Sequence, residues 1–338
     1  MRFGYKASAE QFGARQLLDY SKLAEQSGFD VVAVSDHFQP WRHTSGQAPN
    51  ALVWLGAIGE ATQHVTLGTS VLTPTMRYHP SIIAQAFGTL GCLNPGRVFL
   101  GVGTGEAMNE TPATGQEWPG PKERRQRLAE AIELIRRLWS EERVTFEGNY
   151  YQTLRATLYD RPETPIPIYL AASGELAAQL AGRVADGFIC TSGKALELYE
   201  TLLAAVGEGA RQAGRETAEI SKMIELKVSY DPDPERAERD CGWWAGLALS
   251  AEEKMGIEDP LELERLADAN RERASSRFIV SDDPEEVVER ITVYAELGFT
   301  ELIFHAPGYD QARAINLIAR DVLPSLRDRY GGTVPTSG

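Results

Sequence analysis

Cysteine is scarce in this sequence, and long apolar runs are missing. The three cysteines, Cys92, Cys190 and Cys241, are too few and too widely spaced for a disulfide framework, and a reduced state suits a cytoplasmic protein. No apolar run is long enough to span a membrane, and the first residues, MRFGYKASAE, lack the apolar core of a signal peptide. Acidic residues outnumber basic ones, and the formal net charge of -14 argues against nucleic acid or an anionic membrane as a partner.

Metal and nucleotide motifs are also missing. Neither H-x-H nor H-E-x-x-H occurs, and Asp36 and His37 are adjacent, so we expect no metal site. The glycines of residues 101–105 lack the G-x-G-x-x-G spacing of a dinucleotide fold. Residues 187–194 are one residue too long for a phosphate-binding P-loop.

A helical segment that ends at Gly and leads into a short β-branched strand recurs along the chain, as in LAEQSGFDVVAVSDH and VYAELGFTELIFHAPG. Glycine just past a helix is typical of a left-handed cap. Continuous apolar strands are typical of parallel strands buried on both faces. The predicted strands are Phe3–Tyr5, Val31–Ser35, Val65–Thr69, Val98–Gly101, Ile168–Ala171, Gly187–Cys190, Met223–Ser229 and Glu301–His305.

Eight strands, most of them followed by a helical segment, predict an α/β fold of the (β/α)8 TIM-barrel type. An open doubly wound sheet is the alternative. In this interpretation residues 1–330 form a single barrel domain, with insertions at 109–163 and 231–276 that shape a pocket beside the C-terminal strand ends. Residues 331–338, GGTVPTSG, are expected to be a disordered tail.

Polar side chains directly follow most of the predicted strands. Asp36, His37 and Trp41 follow the second strand, and Glu106 and Asn109 follow the fourth. Because the C-terminal ends of barrel strands meet at one mouth, we expect these residues to lie together. Thr104 also follows the fourth strand, and the other strands contribute Ser70, Val71, Thr73, Ser173, Gly174, Thr191, Lys194 and His305.

Several of these residues also have a purely structural explanation. Asp36 suits a cap for the next helix, His37 a half-buried imidazole, and Trp41 simple packing. His305 is expected at the rim of the site or behind it. Glu106 is harder to explain by packing, because the alternating glycines of GVGTGE hold the backbone close to another part of the molecule.

The segment AASGELAAQLAGR places Ser173 and Gly174 at the start of a helix. Free N–H groups and the positive end of the helix dipole make such a position suitable for a phosphate. A plain helix cap explains the same residues equally well.

Seven segments together resemble one family. They are KASAEQF, VSDHFQPWRH, GTSVLTPT, RVFLGVGTGEAMNE, DGFICTSGK, SYDPDPE and FHAPG. Over residues 4–326 the chain resembles the coenzyme F420-dependent glucose-6-phosphate dehydrogenases of the bacterial luciferase-like superfamily. The resemblance implies a homodimeric oxidoreductase without a metal. It would transfer hydride from C1 of glucose 6-phosphate to the deazaflavin coenzyme F420, giving 6-phosphogluconolactone and reduced F420.

The resemblance also implies roles for the mouth residues. Asp36 would contact the deazaflavin, and Ser70–Val71 would be a non-prolyl cis peptide at its back face. The residues implied in coenzyme binding are Asp36, Ser70, Val71, Thr73, Thr104, Gly105, Asn109, Ser173, Gly174, Leu176 and Ala177.

For the substrate, the resemblance implies a cluster of cations that binds the phosphate group, which an acidic protein needs. His37 would be the base that accepts the O1 proton as hydride leaves C1, and Glu106 the second acid–base group. Trp41 would pack beside the reacting carbon. Which of His37 and Glu106 donates a proton and which accepts it stays open. The residues implied in phosphate binding are Thr191, Lys194, Lys254 and Arg277.

Three other functions are compatible with the sequence. A broader range of sugar 6-phosphates is one, because residues 231–276, with Met255 beside Lys254, differ most from the family pattern. A flavin-dependent monooxygenase on the same barrel is the second. A non-catalytic binder is the third, although such a protein has no use for His37, Trp41 and Glu106 together.

Overall fold

The computed structural model describes residues 1–331 of the 338. Its strands are β1 (Arg2–Ala7), β2 (Val31–Val34), β3 (Thr66–Thr69), β4 (Val98–Val102), β5 (Val144–Glu147), β6 (Gln152–Ala156), β7 (Ile168–Ala171), β8 (Gly187–Thr191), β9 (Ser221–Tyr230), β10 (Ile279–Ser281) and β11 (Glu301–His305).

The same residues contain α-helices that follow or connect the strands. They are α1 (Ala14–Gln26), α2 (Ala51–Ala61), α3 (Pro80–Leu93), α4 (Ala107–Thr114), α5 (Pro121–Ser140), α6 (Glu175–Val184), α7 (Leu196–Gln212), α8 (Pro234–Asp240), α9 (Pro260–Ala269), α10 (Pro284–Glu296), α11 (Gln311–Leu317) and α12 (Leu323–Tyr330). Short 3₁₀ segments lie at Thr217–Glu219, Cys241–Ala248 and Arg271–Arg277.

Eight of the strands form a closed parallel barrel. Their order is β1-β2-β3-β4-β7-β8-β9-β11, and β11 pairs with β1 to close the ring, with Arg2 opposite Glu301. Closure excludes the open doubly wound sheet, so the (β/α)8 barrel predicted from the sequence is confirmed. All eight predicted strands are present, with ends shifted by two residues at most.

Three strands were not predicted. The upper end of β9 pairs in parallel with the short β10, with Val228 opposite Ile279. The antiparallel hairpin β5–β6 lies after α5, and its Glu130-bound turn contains Asn149 and Tyr150. These strands are short and partly exposed, so they lack the continuous apolar signal of the barrel strands.

Apolar side chains of the barrel form two shells, and a separate cluster that includes Trp243 and Leu263 lies in the second insertion. One shell fills the barrel interior and includes Val31, Phe99, Tyr169, Met223 and Ile303. The larger one lies between the strands and the surrounding helices. Above the apolar interior, at the C-terminal strand ends, the inward-facing side chains become charged, and this change positions the site described below.

The two insertions make different contributions. The first supplies α4 to the barrel mouth, but its hairpin packs beside α5 and lines no part of the main cavity. The second covers one side of the mouth with Trp244, Leu247 and Lys254. The tail predicted for 331–338 lies, except for Gly331, outside the described residues. Within residues 1–331, no helix combines the length and the apolarity needed to cross a membrane.

Candidate active site

A cavity of about 400 Å³ opens at the C-terminal ends of the barrel strands. Sixteen of the residues predicted from the sequence line it, so the prediction that they lie together agrees with the structure. They are Asp36, His37, Trp41, Ser70, Val71, Thr73, Thr104, Gly105, Glu106, Asn109, Ser173, Thr191, Lys194, Lys254, Arg277 and His305.

Gly174, Leu176 and Ala177 lie just outside this lining, at the start of α6. Gly174 is the N-cap residue and provides no side-chain cap, while the Leu176 side chain is 60% exposed. The backbone N–H groups at the beginning of a helix have no intrahelical acceptor. This helix start therefore extends from Ser173 in the cavity as a surface with free amide donors.

The glycines of GVGTGE allow β4 to leave the barrel directly against β3. A Cβ atom at Gly101 would collide with the carbonyl of Thr69. Gly105 has φ of +82°, and a Cβ there would lie 2.8 Å from Cγ2 of Thr73. The Ser70–Val71 peptide between these two contacts is cis, as the family resemblance implied. This close packing carries Glu106 to the mouth on a fixed backbone.

His37 and Glu106 are linked by one amide side chain. Asn109 Nδ2 lies 3.0 Å from His37 Nδ1 and 3.3 Å from Glu106 Oε2. The orientation of this amide is fixed, because its Oδ1 accepts hydrogen bonds from the backbone N–H groups of Phe38 and Gln39 at 2.8 and 3.0 Å. Asn109 therefore donates to Nδ1, and a neutral His37 carries its proton on Nε2.

The other side of His37 faces a carboxylate that sequence reasoning missed. Nε2 lies 3.1 Å from Oε1 of Glu10, and Ser35 Oγ donates to Oε2 of Glu10 at 2.6 Å. Glu10 is 4% exposed and follows β1, a barrel strand for which the sequence analysis predicts no site residue. The motif KASAEQF contained the signal, because a carboxylate just past a barrel strand points to the mouth.

Asp36 serves the fold as well as the cavity lining. Its carboxylate pairs with Arg77 at 2.8 Å and accepts a hydrogen bond from the N–H of Ala51, the first residue of α2, at 3.3 Å. The helix-cap explanation of Asp36 is thus supported. Arg77 also forms an ion pair with Glu110 at 3.5 Å. Burial raises the pKa of the Glu110 carboxyl group, although the charge of Arg77 opposes this shift.

Three cations, Lys194, Lys254 and Arg277, line the same cavity. Burial, followed by the neighbouring charge of Arg277, lowers the pKa of Lys194. Burial also lowers the pKa of Lys254, although Glu106 opposes this shift, and it lowers the pKa of Arg277. In the described part of the chain none of the three forms an ion pair with a carboxylate, whereas Arg277 donates to the carbonyls of Leu247 and Ser192. Such a cluster has the chemistry of an anion site.

Trp41 lines the cavity beside the cation cluster. The ammonium of Lys254 lies 4.9 Å from the centre of its ring, which is a cation–π contact. Trp244 lies near the same wall and donates its indole N–H to Gln11 at 3.0 Å. The two indoles give the cavity an apolar side between charged ends.

The cavity floor is ionic, which sequence reasoning also missed. Lys6 pairs with Glu225 at 2.8 Å and donates to the carbonyl of Ser70. Glu225 also faces His305 at 3.5 Å. His305 is 2% exposed, so it lies in the floor rather than at the rim. The fourth floor residue is Lys227, which is also 2% exposed.

Within residues 1–331, no group of three or more His, Cys, Asp or Glu side chains is arranged to hold a metal ion. The titratable groups of the mouth are instead distributed as an acid–base pair, a cation cluster and an ionic floor. This arrangement can bind an anion at one end and move a proton at the other.

Comparison with known proteins places the chain among similar sequences and folds. The model of the luciferase-like monooxygenase family matches residues 1–301. An F420-dependent glucose-6-phosphate dehydrogenase of Beutenbergia cavernae is 62% identical, over 97% of this chain and 98% of that relative. One from Nakamurella multipartita is 59% identical, over 98% of both chains.

A solved structure is similar over almost the whole fold. It is an F420-dependent secondary alcohol dehydrogenase in complex with an F420–acetone adduct, with a TM-score of 0.91 and 34% identity. The match covers 97% of this chain and 99% of that one.

Proposed function

The chain belongs to the luciferase-like monooxygenase family and, within it, to the F420-dependent glucose-6-phosphate dehydrogenases, and on this basis we propose that its barrel mouth oxidises C1 of glucose 6-phosphate with coenzyme F420 as hydride acceptor. The main observation behind the proposal is that the His37–Asn109–Glu106 network and the cation cluster line one cavity. A dehydrogenase acting on a sugar phosphate needs both.

The cavity fits the coenzyme by its shape. Gly103 and Gly105, which follow β4, have no side chains and leave a gap in the cavity wall. The side chain of Val71, which follows β3, faces this gap. An added Cβ at Gly103 would lie 2.9 Å from Cγ2 of Val71. A flat ring system fits such a wall without side-chain obstruction. When bound, coenzyme F420 supplies the two-electron acceptor for hydride.

We propose that this wall and the start of α6 hold the coenzyme. The free amide donors that follow Ser173 suit its phosphate and tail. The residues proposed to bind it are Asp36, Ser70, Val71, Thr73, Thr104, Gly105, Asn109, Ser173, Gly174, Leu176 and Ala177.

The cation cluster is proposed to bind the phosphate of the substrate. Within residues 1–331, Lys194, Lys254 and Arg277 have no carboxylate within ion-pair distance, so a dianion would supply their missing counter-charge. Thr191 at the end of β8 adds a hydroxyl donor on the same wall. Binding at this end directs the sugar ring across Trp41 toward His37.

His37 is proposed as the base for the O1 proton. Its Nε2–H faces Glu10, which would stabilise the imidazolium that forms when Nδ1 takes up a proton. The carbonyl of Gln39, 3.3 Å from Nδ1, can accept that new N–H. Glu106 is the second acid–base group, coupled to His37 through Asn109. Trp41 closes the side of the reacting centre and limits access of water.

We also propose that the protein is a cytoplasmic homodimer. Helices α2 and α3 present apolar side chains to the outside, with Val53 77%, Ile82 51% and Leu93 65% exposed. Exposed apolar groups on neighbouring helices favour association with a second copy. The three cysteines are free, which suits a reducing compartment. Light scattering during size-exclusion chromatography tests the dimer.

The first experiment follows the visible absorbance of oxidised F420 when the protein is mixed with glucose 6-phosphate. Parallel reactions contain mannose 6-phosphate, fructose 6-phosphate, or FMN in place of F420. We expect rapid loss of absorbance with glucose 6-phosphate. Equal rates with several sugar phosphates would indicate a broader specificity, and activity only with FMN would overturn the proposed coenzyme.

A further inference from the structure

Lys227 is a buried cation without an anionic partner. It lies on β9, is 2% exposed, and its side chain lines the floor of the cavity. Its ammonium donates one hydrogen bond, of 3.3 Å, to the carbonyl of Ser192. In the described part of the chain no carboxylate lies within ion-pair distance of it.

The nearest carboxylate on the same strand is already used. Glu225 forms its ion pair with Lys6 at 2.8 Å and faces His305 at 3.5 Å. Burial alone would raise the pKa of Glu225, but Lys6, with His305 and Lys227, keeps it well below its usual range. Glu225 is therefore charged, but its oxygens are directed to Lys6 and His305.

A buried ammonium with a neutral carbonyl as its single partner is unfavourable. Burial lowers the pKa of Lys227 to about 8, although the charge of Glu225 opposes this shift, and the charges of Arg277, Lys6 and Lys194 act in the same direction as burial. A fold that needed Lys227 only for packing would be more stable with an apolar side chain there. Lys227 lines the cavity, so an anion bound in the cavity could accept from the donors that the Ser192 carbonyl does not use.

Lys227 is also connected to the proposed phosphate site. Arg277 Nη2 donates to the same Ser192 carbonyl at 3.4 Å, so the two cations are held on one acceptor. Lys194, two residues beyond Ser192, completes this corner. Lys227 approaches from the floor, whereas the other cations lie on the wall.

We propose that Lys227 is a substrate-binding residue that supplies a fourth cation, from the cavity floor, to the phosphate group of the sugar 6-phosphate. This inference rests on the proposed function and adds one residue to its substrate site. The phosphate of the ligand gives Lys227 the counter-charge that no described carboxylate places within ion-pair distance. The same contact favours phosphorylated over free sugars, because a neutral sugar leaves the buried charge unpaired.

The test measures binding without turnover. Calorimetry gives the affinities of glucose 6-phosphate and of inorganic phosphate for the wild-type protein and for Lys227→Met, which removes the charge and keeps the length. Lys222→Met, at the opposite end of the same strand, is the matched control. F420 affinity, from quenching of its fluorescence, reports whether each variant has kept its coenzyme site.

We expect Lys227→Met to bind both phosphate ligands about 10- to 100-fold more weakly, as for the loss of one hydrogen bond to a charged group. F420 affinity and the Lys222→Met variant should stay within about twofold of wild type. Unchanged binding of glucose 6-phosphate by Lys227→Met would overturn the inference. An equal loss of F420 binding would also overturn it, because Lys227 would then support the coenzyme site or the fold.

Two further results separate this inference from the proposed function. If Lys227→Met does not fold, Lys227→Gln replaces it and the same criteria apply. A wild-type protein that binds glucose 6-phosphate through Lys227 but does not reduce F420 would overturn the proposed function alone. Normal turnover by wild type, with Lys227→Met binding substrate normally, would overturn the Lys227 inference alone.

Discussion

His37 is held by two side chains and one backbone carbonyl from three separate segments. Glu10 comes from the loop after β1, Asn109 from α4, and the Gln39 carbonyl from the loop that follows β2. In the neutral form Nδ1 accepts from Asn109 and the Nε2–H faces Glu10, whereas in the protonated form the Nδ1–H faces the Gln39 carbonyl and the hydrogen bond from Asn109 to Nδ1 is lost. An imidazole held in this way can gain and lose a proton without reorienting.

The first prediction concerns Glu10. Replacing Glu10 by Gln removes the charge that stabilises a protonated His37 but keeps the side-chain shape. We expect kcat to fall about 10²-fold or more, because the contribution of general base catalysis is lost. Steady-state kinetics with glucose 6-phosphate measures this change.

The controls for this variant are simple. F420 affinity should be unchanged, and Glu200→Gln, an exposed carboxylate on α7, should have wild-type kcat. Wild-type turnover by Glu10→Gln would remove the Glu10–His37 pair from the mechanism.

At the scale of elements, the exits of β3 and β4 form the coenzyme wall. Three alternating glycines let the strands leave the barrel in contact, and Gly105 has a left-handed backbone. Any side chain here would enter either the neighbouring strand or the cavity. The GVGTGE motif is therefore explained by packing and by the site together.

Gly105→Ala tests this wall. The new Cβ would contact Thr73 and would adopt a positive φ, so we expect a loss of stability of about 1–2 kcal/mol from the backbone alone, plus weaker F420 binding. Thermal unfolding and F420 fluorescence measure the two effects.

Gly115→Ala is the matched control. Gly115 also has a positive φ, +68°, but open space surrounds its missing Cβ. The Gly115→Ala variant should lose a similar amount of stability and bind F420 as tightly as the wild-type protein. Equal F420 affinity for both variants would contradict the proposed role of the Gly105 wall.

At the scale of the whole molecule, the barrel interior changes from apolar to ionic at the level of the cavity floor. Lys6→Met would remove the ion pair of 2.8 Å from the buried Glu225 and leave it His305 at 3.5 Å. Breaking a buried pair in this way costs about 3–5 kcal/mol of unfolding free energy. Urea denaturation of the variant measures this loss.

A second substitution provides the check. Lys6→Met combined with Glu225→Gln removes both charges, so the double variant should be more stable than Lys6→Met alone. If the double variant is as unstable as the single one, the ion pair is not the source of the loss.

The fourth prediction is a pH dependence of stability. Lys227 has a folded pKa of about 8 and an unfolded pKa of 10.5, so its charge destabilises the folded state fully below pH 8. Wild type should therefore be less stable than Lys227→Met below pH 8, and the difference should shrink between pH 8 and 10.5.

Denaturant unfolding at several pH values measures the difference in unfolding free energy between the two proteins. A difference independent of pH would show that the charge is not responsible. The charged groups around Lys227 are Lys6, Lys194, Glu225, Arg277 and His305.

The sequence by itself determined the barrel and most of its mouth. Apolar strands and cap glycines repeat often enough to predict eight βα units, and the polar residues after them converge because parallel strands share one end. Asp36, His37, Glu106 and Lys194 could be found in this way. Their partners in the site followed from the family resemblance.

Only the tertiary structure decided the floor and the orientation of the base. Lys6, Glu225 and Lys227 lie within strands, and a parallel strand buried on both faces shows no alternation that tells an inward from an outward residue. Their inward position follows from the register of the closed barrel. Glu10 and His37 are 27 residues apart in the chain, and only the pairing of β1 with β2 brings them together.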